Sequence, residues 1–471
     1  MKNTGSTRRE LLRCAGAGAL AALLPSPLLK PLAGQARSGR ARPNIVFVLT
    51  DDLGWAELGC YGNTFNETPH LDRLARDGMR FTTAYAAAPV CSPFRAALMT
   101  GQFPVRTGIT DYLRPNDPKH LSTDYVTLAE MLKNAGYATG VIGKWHLTGY
   151  ANHGAEEVGP GRHGFDEVLV SENRGIGGGS YFFPYHFNRE IQPRLGDKEH
   201  LVDRCNLEAL EFIERHKDKP FFLYLSHYAV HTRLNGKPDL VAKYEGKPGA
   251  GKGFRARRNN PHLAAQLETI DRGVGQIRSK LEELGLADHT IVIFTSDNGG
   301  EDRVTSNAPL RAGKSTLYEG GIREPLLVYW PGVTQADSVS DVPVCNIDFY
   351  PTFAQACGGQ TPQTADGVSL LPVLKDPGAP LDRDTLYWHY PLNKPHFLSG
   401  RSAGAIRKGH WKLIEFFDTG KVELYNLARD PGEQHDLAPE EPGRKQRLLE
   451  ALHRWQRQVG AAIPEGQSRA T

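Results

Sequence analysis

The amino-acid sequence predicts an α/β fold: a large, mixed and mostly parallel sheet flanked by helices, followed by a smaller C-terminal α+β subdomain with an antiparallel sheet. Helical patterns alternate with short, continuous apolar runs, which are typical of strands buried on both faces of a parallel sheet. Polar residues follow each of these runs. After Leu374, segments of alternating polarity joined by short turns indicate antiparallel strands.

The first 36 residues carry the features of an export signal. A twin-arginine pattern, Thr7–Leu12, precedes an apolar run, Cys14–Leu24, which is shorter than the roughly 20 residues of a membrane-spanning helix. Small residues at Gly34–Ala36 suit cleavage. We therefore predict a Tat-type bacterial signal peptide over residues 1–36, the Tat export machinery as a partner, a periplasmic or secreted location and no stable membrane insertion.

Length and charge limit what the rest of the chain can be. Its 471 residues, 39% of them hydrophobic, suffice for a large core, and we predict a main domain over residues 37–374 and a C-terminal subdomain over residues 375–471. The whole chain has a formal net charge of +3, of which residues 1–36 contribute five basic side chains and one acidic side chain. The remaining chain is then close to −1, which argues against nucleic acid as a partner.

The cysteines do not form a zinc or redox motif. Six are present, and no two of them have the C-x-x-C spacing. Cys14 belongs to the predicted signal, and Cys91 lies in a separate motif that is discussed below. An oxidising periplasm permits a disulfide among the other four, but their spacing does not assign one.

Four apolar runs are predicted to be strands of the main sheet. These runs are Asn44–Leu49, Ala138–Ile142, Phe221–Ser226 and Thr290–Thr295. Since open α/β sheets bind ligands beyond the carboxyl ends of their strands, the polar residues that follow the runs form the candidate site. Those residues are Asp51 and Asp52, Lys144 and His146, His227 and His231, and Asp297 and Asn298.

Helices and further strands complete the pattern. Thr68 suits the N-cap and Pro69 the first position of a helix that continues to Ala75. Other predicted elements of the main domain are helices at Thr127–Asn134, Asn206–His216 and Pro261–Leu284, and a strand at Glu324–Trp330. The predicted C-terminal elements are strands at Leu386–Tyr390, Gly404–Arg407, Trp411–Phe416 and Val422–Leu427, and an amphipathic helix at Arg444–Val459.

A cysteine, Cys91, precedes another short helix, which Thr100 and Gly101 close. Pro93 suits the first helical turn, and Arg95 is close enough along the helix to point back at Cys91. Unpaired backbone N–H groups and the positive end of the helix dipole favour an anion at this position. This pattern alone is equally compatible with a buried structural thiol, the common role of a free cysteine.

The order Cys-x-Pro-x-Arg from Cys91, with a small-residue helix and Thr100 after it, resembles the signature of the type I sulfatases, in the alkaline phosphatase superfamily. The resemblance extends over residues 43–438 and includes several separate motifs; the family usually has a small polar residue in place of Phe94. It implies an alkaline phosphatase-like fold and the oxidation of Cys91 to formylglycine (3-oxoalanine), whose hydrated aldehyde is the nucleophile. A formylglycine-generating or sulfatase-maturating enzyme is then a partner.

The acidic residues at two strand ends indicate a metal site. Asp51, Asp52, Asp297 and Asn298 offer hard oxygen donors, which suit Ca²⁺ or Mg²⁺ rather than zinc. Each motif alone is equally typical of a helix cap or a turn. The resemblance implies that these four residues and the formylglycine made from Cys91 bind one divalent cation; Ca²⁺ is our preference and Mg²⁺ the alternative.

The same resemblance assigns sulfate-binding groups. Lys144 and His146 lie in Gly-Lys-Trp-His, which is similar to the family's Gly-Lys-x-His. It implies that Lys144 binds sulfate, that His146 contacts the formylglycine hydroxyl and that Arg95 holds the formylglycine. The segment Pro309–Pro325 closely matches the family and nominates Lys314 as a second sulfate-binding lysine.

A histidine after the third run is expected to protonate the leaving alcohol. We choose His231 over His227 by its distance from the strand, although the prolines that flank this histidine in the family are absent here. An aromatic segment, Gly177–Tyr185, could stack on a sugar or serve as packing.

The resemblance implies hydrolysis of sulfate esters, and export favours a sulfated glycan as the substrate. Three alternatives stay open: an arylsulfatase acting on small aryl sulfates, a phosphonate or phosphate ester hydrolase of the same superfamily, and a non-catalytic glycan-binding relative. Comparing the turnover of matched sulfate and phosphate esters distinguishes a sulfatase from a phosphonate or phosphate ester hydrolase. Glycan binding without sulfate release would indicate the non-catalytic relative.

Overall fold

The computed structural model of the protein describes residues 42–174, 181–360 and 364–470. Within these residues, nine strands form one large sheet. They are β1 (Asn44–Thr50), β2 (Met79–Tyr85), β3 (Ala138–Gly143), β4 (Glu167–Leu169), β5 (Phe221–Ser226), β6 (Thr290–Ser296), β7 (Arg323–Tyr329), β8 (Ser338–Ser340) and β9 (Val344–Cys345). Their order is β4-β3-β5-β1-β6-β7-β2-β8, and β9 also pairs with β2.

The sheet is mixed and mostly parallel, which confirms the predicted fold class. The five adjacent strands β4, β3, β5, β1 and β6 run parallel to one another. Strand β7 is antiparallel to both β6 and β2, and β8 and β9 run parallel to β2. Strand β2 was not predicted, because its sequence mixes polar and apolar residues and its pairing with β7 shifts register between Phe81 and Ala84.

Helices cover both faces of this sheet. The helices of the described residues, in chain order and including those beside the second sheet, are α1 (Pro69–Asp77), α2 (Cys91–Thr100), α3 (Pro104–Thr107), α4 (Leu128–Asn134), α5 (Ala155–Val158), α6 (Leu201–Arg215), α7 (Pro238–Glu245), α8 (Pro261–Glu283), α9 (Glu319–Ile322), α10 (Phe349–Cys357), α11 (Leu371–Lys375) and α12 (Pro442–Gln458). In β1, Phe47 packs in the cluster on one face and Val46 and Val48 in the cluster on the other. The central strands are therefore apolar throughout, because both faces are buried.

The start of α1 differs from the prediction. The Thr68 side chain makes no capping hydrogen bond to the helix and instead contacts Gly59 N and Asp72. Asp271, on α8, accepts hydrogen bonds from Leu71 N at 2.7 Å and His70 N at 3.3 Å. A side chain distant in sequence thus satisfies the free N–H groups of this helix.

A second sheet follows the main one, as predicted. Its strands, in spatial order, are β10 (Thr385–Tyr390), β11 (Ala403–Lys408), β12 (Trp411–Phe416) and β13 (Val422–Asn426). All neighbouring pairs are antiparallel, and α12 packs against them. The buried Lys412 ammonium lies 2.9 Å from both Glu319 and Glu433, and Trp388 Nε1 donates to Ala86 O. A domain boundary at residue 374, within α11, stays a prediction.

The predicted export signal, residues 1–36, lies outside the described residues. Of the helices within the described ranges, none combines the length and the apolar character needed to cross a membrane.

The glycines of the predicted aromatic segment also lie outside these ranges. Tyr181 and Tyr185 are buried, and Tyr181 Oη donates to Tyr228 O and His231 O, so these two rings pack rather than face a ligand.

Candidate active site

Four adjacent parallel strands end at the candidate site. Strands β3, β5, β1 and β6 are neighbours in the sheet. Thr50 pairs with Ser296, and Ser226 pairs with both Leu49 and Gly143, so the four strands end at the same level. The polar residues that follow them therefore converge at one edge of the sheet, although they are up to about 250 residues apart in the chain.

The predicted metal ligands come together in this way. Asp52 N donates to Asp297 Oδ1 at 3.1 Å, and Asn298 Nδ2 donates to Asp52 Oδ1 at 2.7 Å. All are buried, as is Asp51. Asp51 Oδ1 and Asn298 Oδ1 have no hydrogen-bond partner among the described residues. Buried oxygens without donors fit a hard divalent cation, so this donor set suits the metal that the sequence predicts.

The electrostatics of the three carboxylates also fit a cation. Burial opposes the ionisation of Asp51 and Asp52, but Lys144 and Lys314 outweigh it and hold the pKa of both carboxyls below the ordinary value. Burial and the proximity of Asp51 raise the pKa of Asp297, even though Arg95 pairs with it. A divalent cation would offset the remaining repulsion among these groups.

Cys91 faces the same carboxylates. It is the first residue of α2 rather than the residue before it, and it is buried. Its Sγ and one oxygen each of Asp51 and Asp297 lie within 4.8 Å of one another. Arg95, four residues along α2, donates to Asp297 Oδ2 at 2.7 Å, and also to Lys144 O. The helix therefore positions both Cys91 and Arg95 over the strand ends.

Phe94 points away from this cluster. Its side chain is buried in the hydrophobic core on one face of the large sheet, and its carbonyl accepts a hydrogen bond from Asn346 Nδ2 at 2.9 Å. In the folded protein, the aromatic ring therefore takes no part in the chemistry of the Cys91 site.

Two lysines bring positive charge to the site. Lys144 Nζ lies 2.5 Å from Asp51 Oδ2, and Lys314 Nζ lies 2.7 Å from Asp52 Oδ2. Both side chains are buried, which opposes their charge. The nearby carboxylates more than offset this effect and raise the pKa of both ammonium groups. Both lysines are therefore cationic at neutral pH.

Of the two histidines after β5, His231 reaches the site. Its Nε2 lies 3.7 Å from Asp52 Oδ2, and its Nδ1 lies 2.7 Å from Thr232 O. One oxygen each of Asp51 and Asp52 and a nitrogen of His231 lie within 4.8 Å of one another. His227 is fully buried, its ring nitrogens have no partner among the described residues, and burial lowers its pKa to about 3. It therefore remains neutral.

His146 is held by a buried carboxylate that the sequence did not reveal. Glu172 accepts hydrogen bonds from the backbone N–H groups of Trp145 and His146. The φ angle of His146 is 53°, a strained conformation that this contact helps to maintain. His146 Nε2 lies 2.8 Å from Leu113 O, and its Nδ1 has no partner among the described residues. Burial and Lys144 lower its pKa well below the ordinary value, so the ring is neutral.

Two further residues of the site, Ser226 and His396, were not predicted from the sequence. Ser226, the last residue of β5, accepts a hydrogen bond from Arg95 Nη1 at 2.6 Å. His396, from the loop between β10 and β11, is buried near Lys314 and Asp52, and burial lowers its pKa to about 4. Neither follows a recognisable motif; only the pairing of distant segments brings them here.

Comparison with known proteins decides the family. The Sulfatase family profile matches residues 43–359, which is most of the chain. This chain belongs to the sulfatase family. A second profile, N-sulphoglucosamine sulphohydrolase, C-terminal, matches residues 312–458. The protein is therefore a sulfuric ester hydrolase, as predicted, and the family implies both a metal and a formylglycine at sites of this kind.

Relatives of known activity match over nearly the whole length. Human arylsulfatase A is 33% identical, with 94% of this chain and 93% of that protein covered. Human N-acetylgalactosamine-6-sulfatase is 33% identical, with 86% and 83% covered. The crystal structure of Ps i-CgsB in complex with k-i-k-neocarrahexaose is 29% identical, has a TM-score of 0.77 and covers 90% of this chain and 95% of that one.

Proposed function

We propose that this sulfatase hydrolyses sulfate esters of carbohydrates, with a formylglycine made from Cys91 as the nucleophile and a divalent cation bound by Asp51, Asp52, Asp297 and Asn298. The observation that carries this proposal is the convergence of Cys91, two cationic lysines and the carboxylates in one buried cluster. No single pair of these residues would require sulfatase chemistry, but the combination provides a nucleophile position, anion-binding groups and ligands for a cation.

The unmodified cysteine is poorly suited to the reaction. Burial raises the pKa of the Cys91 thiol, although Lys144 and Lys314 oppose the effect. The thiol therefore stays protonated at neutral pH and is a weak nucleophile. Oxidation to formylglycine supplies a hydrated aldehyde, with one hydroxyl to attack sulfur and a second to drive sulfate release.

The residues around Cys91 then have separate tasks. Lys144 and Lys314 offset the charge of the sulfate oxygens, and Arg95 fixes the modified side chain against Asp297. His231 donates a proton to the leaving alcohol. His146 is neutral with Nδ1 unpartnered, so it can accept a proton from the nucleophile's second hydroxyl.

A cation at the four oxygen donors would lower the pKa of the attacking hydroxyl and orient it. We propose Ca²⁺, because carboxylate and amide oxygens on separate loops suit its variable coordination better than the strict octahedron of Mg²⁺. Ca²⁺ should stabilise the wild-type protein by about 2.7 kcal/mol at a free concentration of 100 times Kd. Asp297→Asn should lose most of this effect, and the exposed control Asp288→Asn should retain it.

Thermal unfolding in chelator, Ca²⁺ and Mg²⁺ measures this effect independently of turnover. A higher unfolding temperature in Mg²⁺ than in Ca²⁺ would assign Mg²⁺ rather than Ca²⁺ to this site. Equal unfolding temperatures in all three solutions would contradict a metal site at these residues.

A carbohydrate is the proposed class of substrate. A relative named N-acetylgalactosamine-6-sulfatase and a structural neighbour bound to an oligosaccharide support it. The alternative of a small aryl sulfate rests on arylsulfatase A as a relative. Higher turnover of a phosphate ester than of the matched sulfate ester would contradict the proposal.

We also propose the cellular context predicted from the sequence. The Tat-type signal would export the chain to the periplasm or beyond, and a formylglycine-generating or sulfatase-maturating enzyme would modify Cys91. Residues 37–374 would then carry the catalytic site, and residues 375–471 would add the second sheet.

Mass spectrometry of the tryptic peptide Phe81–Arg95 tests the nucleophile directly. In protein exported by its native host, we expect the sulfur of Cys91 to be replaced by an aldehyde oxygen. The peptide that contains Cys205 serves as the control, since its buried cysteine should remain a thiol. An unmodified Cys91 in active enzyme would refute the proposed nucleophile.

A further inference from the structure

A cavity of about 750 Å³ opens beside the active site. Lys314 and Thr232, the residue after His231, lie in its wall. Since His231 is the proposed donor to the leaving alcohol, this cavity lies on the side where the rest of the substrate must extend.

Four arginines from three separate loops line this cavity. They are Arg233, Arg255, Arg257 and Arg303. Arg303 pairs with Glu301 at 2.6 Å, and Arg257 Nε donates to Asp302 O at 2.6 Å. Within the described parts of the chain, the exposed side chains of Arg233 and Arg255 make no hydrogen bond or ion pair. The cavity therefore has two guanidinium groups that are free to bind an anion.

Exposed aromatic rings lie beside these charges. Phe397 is 65% exposed and Phe254 is 41% exposed, and both line the cavity. Arg303 lies 5.0 Å from the centre of the Phe397 ring, and Arg255 lies 5.4 Å from that of Phe254. Rings of this kind offer flat apolar surfaces next to cations. That combination matches a sugar ring bearing an anionic substituent.

We propose that this arginine cavity binds a second anionic group, sulfate or carboxylate, of the sugar chain that carries the scissile sulfate. The preferred substrate is then a multiply anionic oligosaccharide. This inference rests on the proposed sulfatase function and adds a specificity to it. Guanidinium groups bind sulfate and carboxylate through paired charged hydrogen bonds, whereas an uncharged sterol or aryl group would leave both free arginines without a partner.

Three substrates built on one disaccharide test this inference: a singly sulfated form, a form with a second sulfate, and a form with a uronic acid in the neighbouring ring. With modified, metal-loaded enzyme, kcat/KM should be about tenfold higher for at least one doubly anionic form. The measured quantity is the kcat/KM of the preferred doubly anionic form divided by the kcat/KM of the singly sulfated form. Arg255→Gln and Arg233→Gln should each reduce this ratio by about tenfold. Arg457→Gln, on the exposed face of α12, should leave it unchanged.

The outcomes separate this inference from the proposed function. Equal rates for all three substrates, or a ratio that neither cavity variant alters, would overturn the inference and leave the sulfatase function intact. No sulfate release from any substrate would overturn the function itself. The preferred doubly anionic form identifies the second group as sulfate or carboxylate.

Discussion

Cys91→Ala should reduce sulfate ester hydrolysis by about 10⁴-fold or more while leaving a folded protein. The substitution removes the thiol that must be oxidised to give the aldehyde, and neither lysine nor Arg95 can supply that nucleophile. The cost to the free energy of unfolding should be only about 1 kcal/mol, because the small buried side chain loses few non-hydrogen atoms, whether it is the thiol or the aldehyde that is removed. Steady-state kinetics with a sulfated sugar and thermal unfolding measure the two effects.

Cys357→Ala is the matched control for this experiment. Cys357 is also a buried free cysteine, but it ends α10 and packs in the apolar core beside the large sheet. Its loss should lower stability by a similar amount and leave turnover within about twofold of the wild type. Residual activity above one tenth of the wild-type value in Cys91→Ala would contradict the assigned nucleophile.

His231→Gln should slow hydrolysis by about 10²- to 10⁴-fold, but only for substrates with a poor leaving group. A sugar alkoxide needs a proton as the ester bond breaks, whereas a nitrophenolate leaves without one. The variant should therefore retain most of its activity with nitrophenyl sulfate and lose it with a sulfated sugar. The ratio of the two kcat/KM values is the measurement.

His227→Gln distinguishes the two histidines after β5. His227 does not reach the carboxylates, so its substitution should change both kcat/KM values by the same factor, if at all. Loss of stability would accompany such a change, since His227 is fully buried. A selective loss with the sugar substrate in His227→Gln, and not in His231→Gln, would reverse the assignment.

Local sequence signals were sufficient for most elements near the active site. Strand β5 has the predicted bounds, and β1 and β6 differ from the prediction by one residue at their carboxyl ends. A strand buried on both faces must be apolar throughout, so its end is visible in the sequence. Gly101 marks the end of α2 for a similar reason, since its φ of 68° is a conformation that glycine adopts readily.

Contacts between distant segments were not predictable in this way. The cap of α1 comes from Asp271 rather than from the adjacent Thr68, because helix packing brings a carboxylate to the free N–H groups. Glu172, which supports the turn at His146, belongs to no motif. Such residues have no periodic pattern or fixed spacing, since their partners are set by how the helices and strands pack.

Part of the candidate site was readable from the sequence, because each of the four apolar runs is followed by polar side chains of the types that the proposed reaction needs. Which of these side chains meet depends on sheet order: β1 lies between β5 and β6, so His231, Asp52 and Asp297 converge. The arginine cavity depends on tertiary structure even more. Its charges come from three loops, which follow β5, α7 and β6, and their joint effect exists only when those loops are packed side by side.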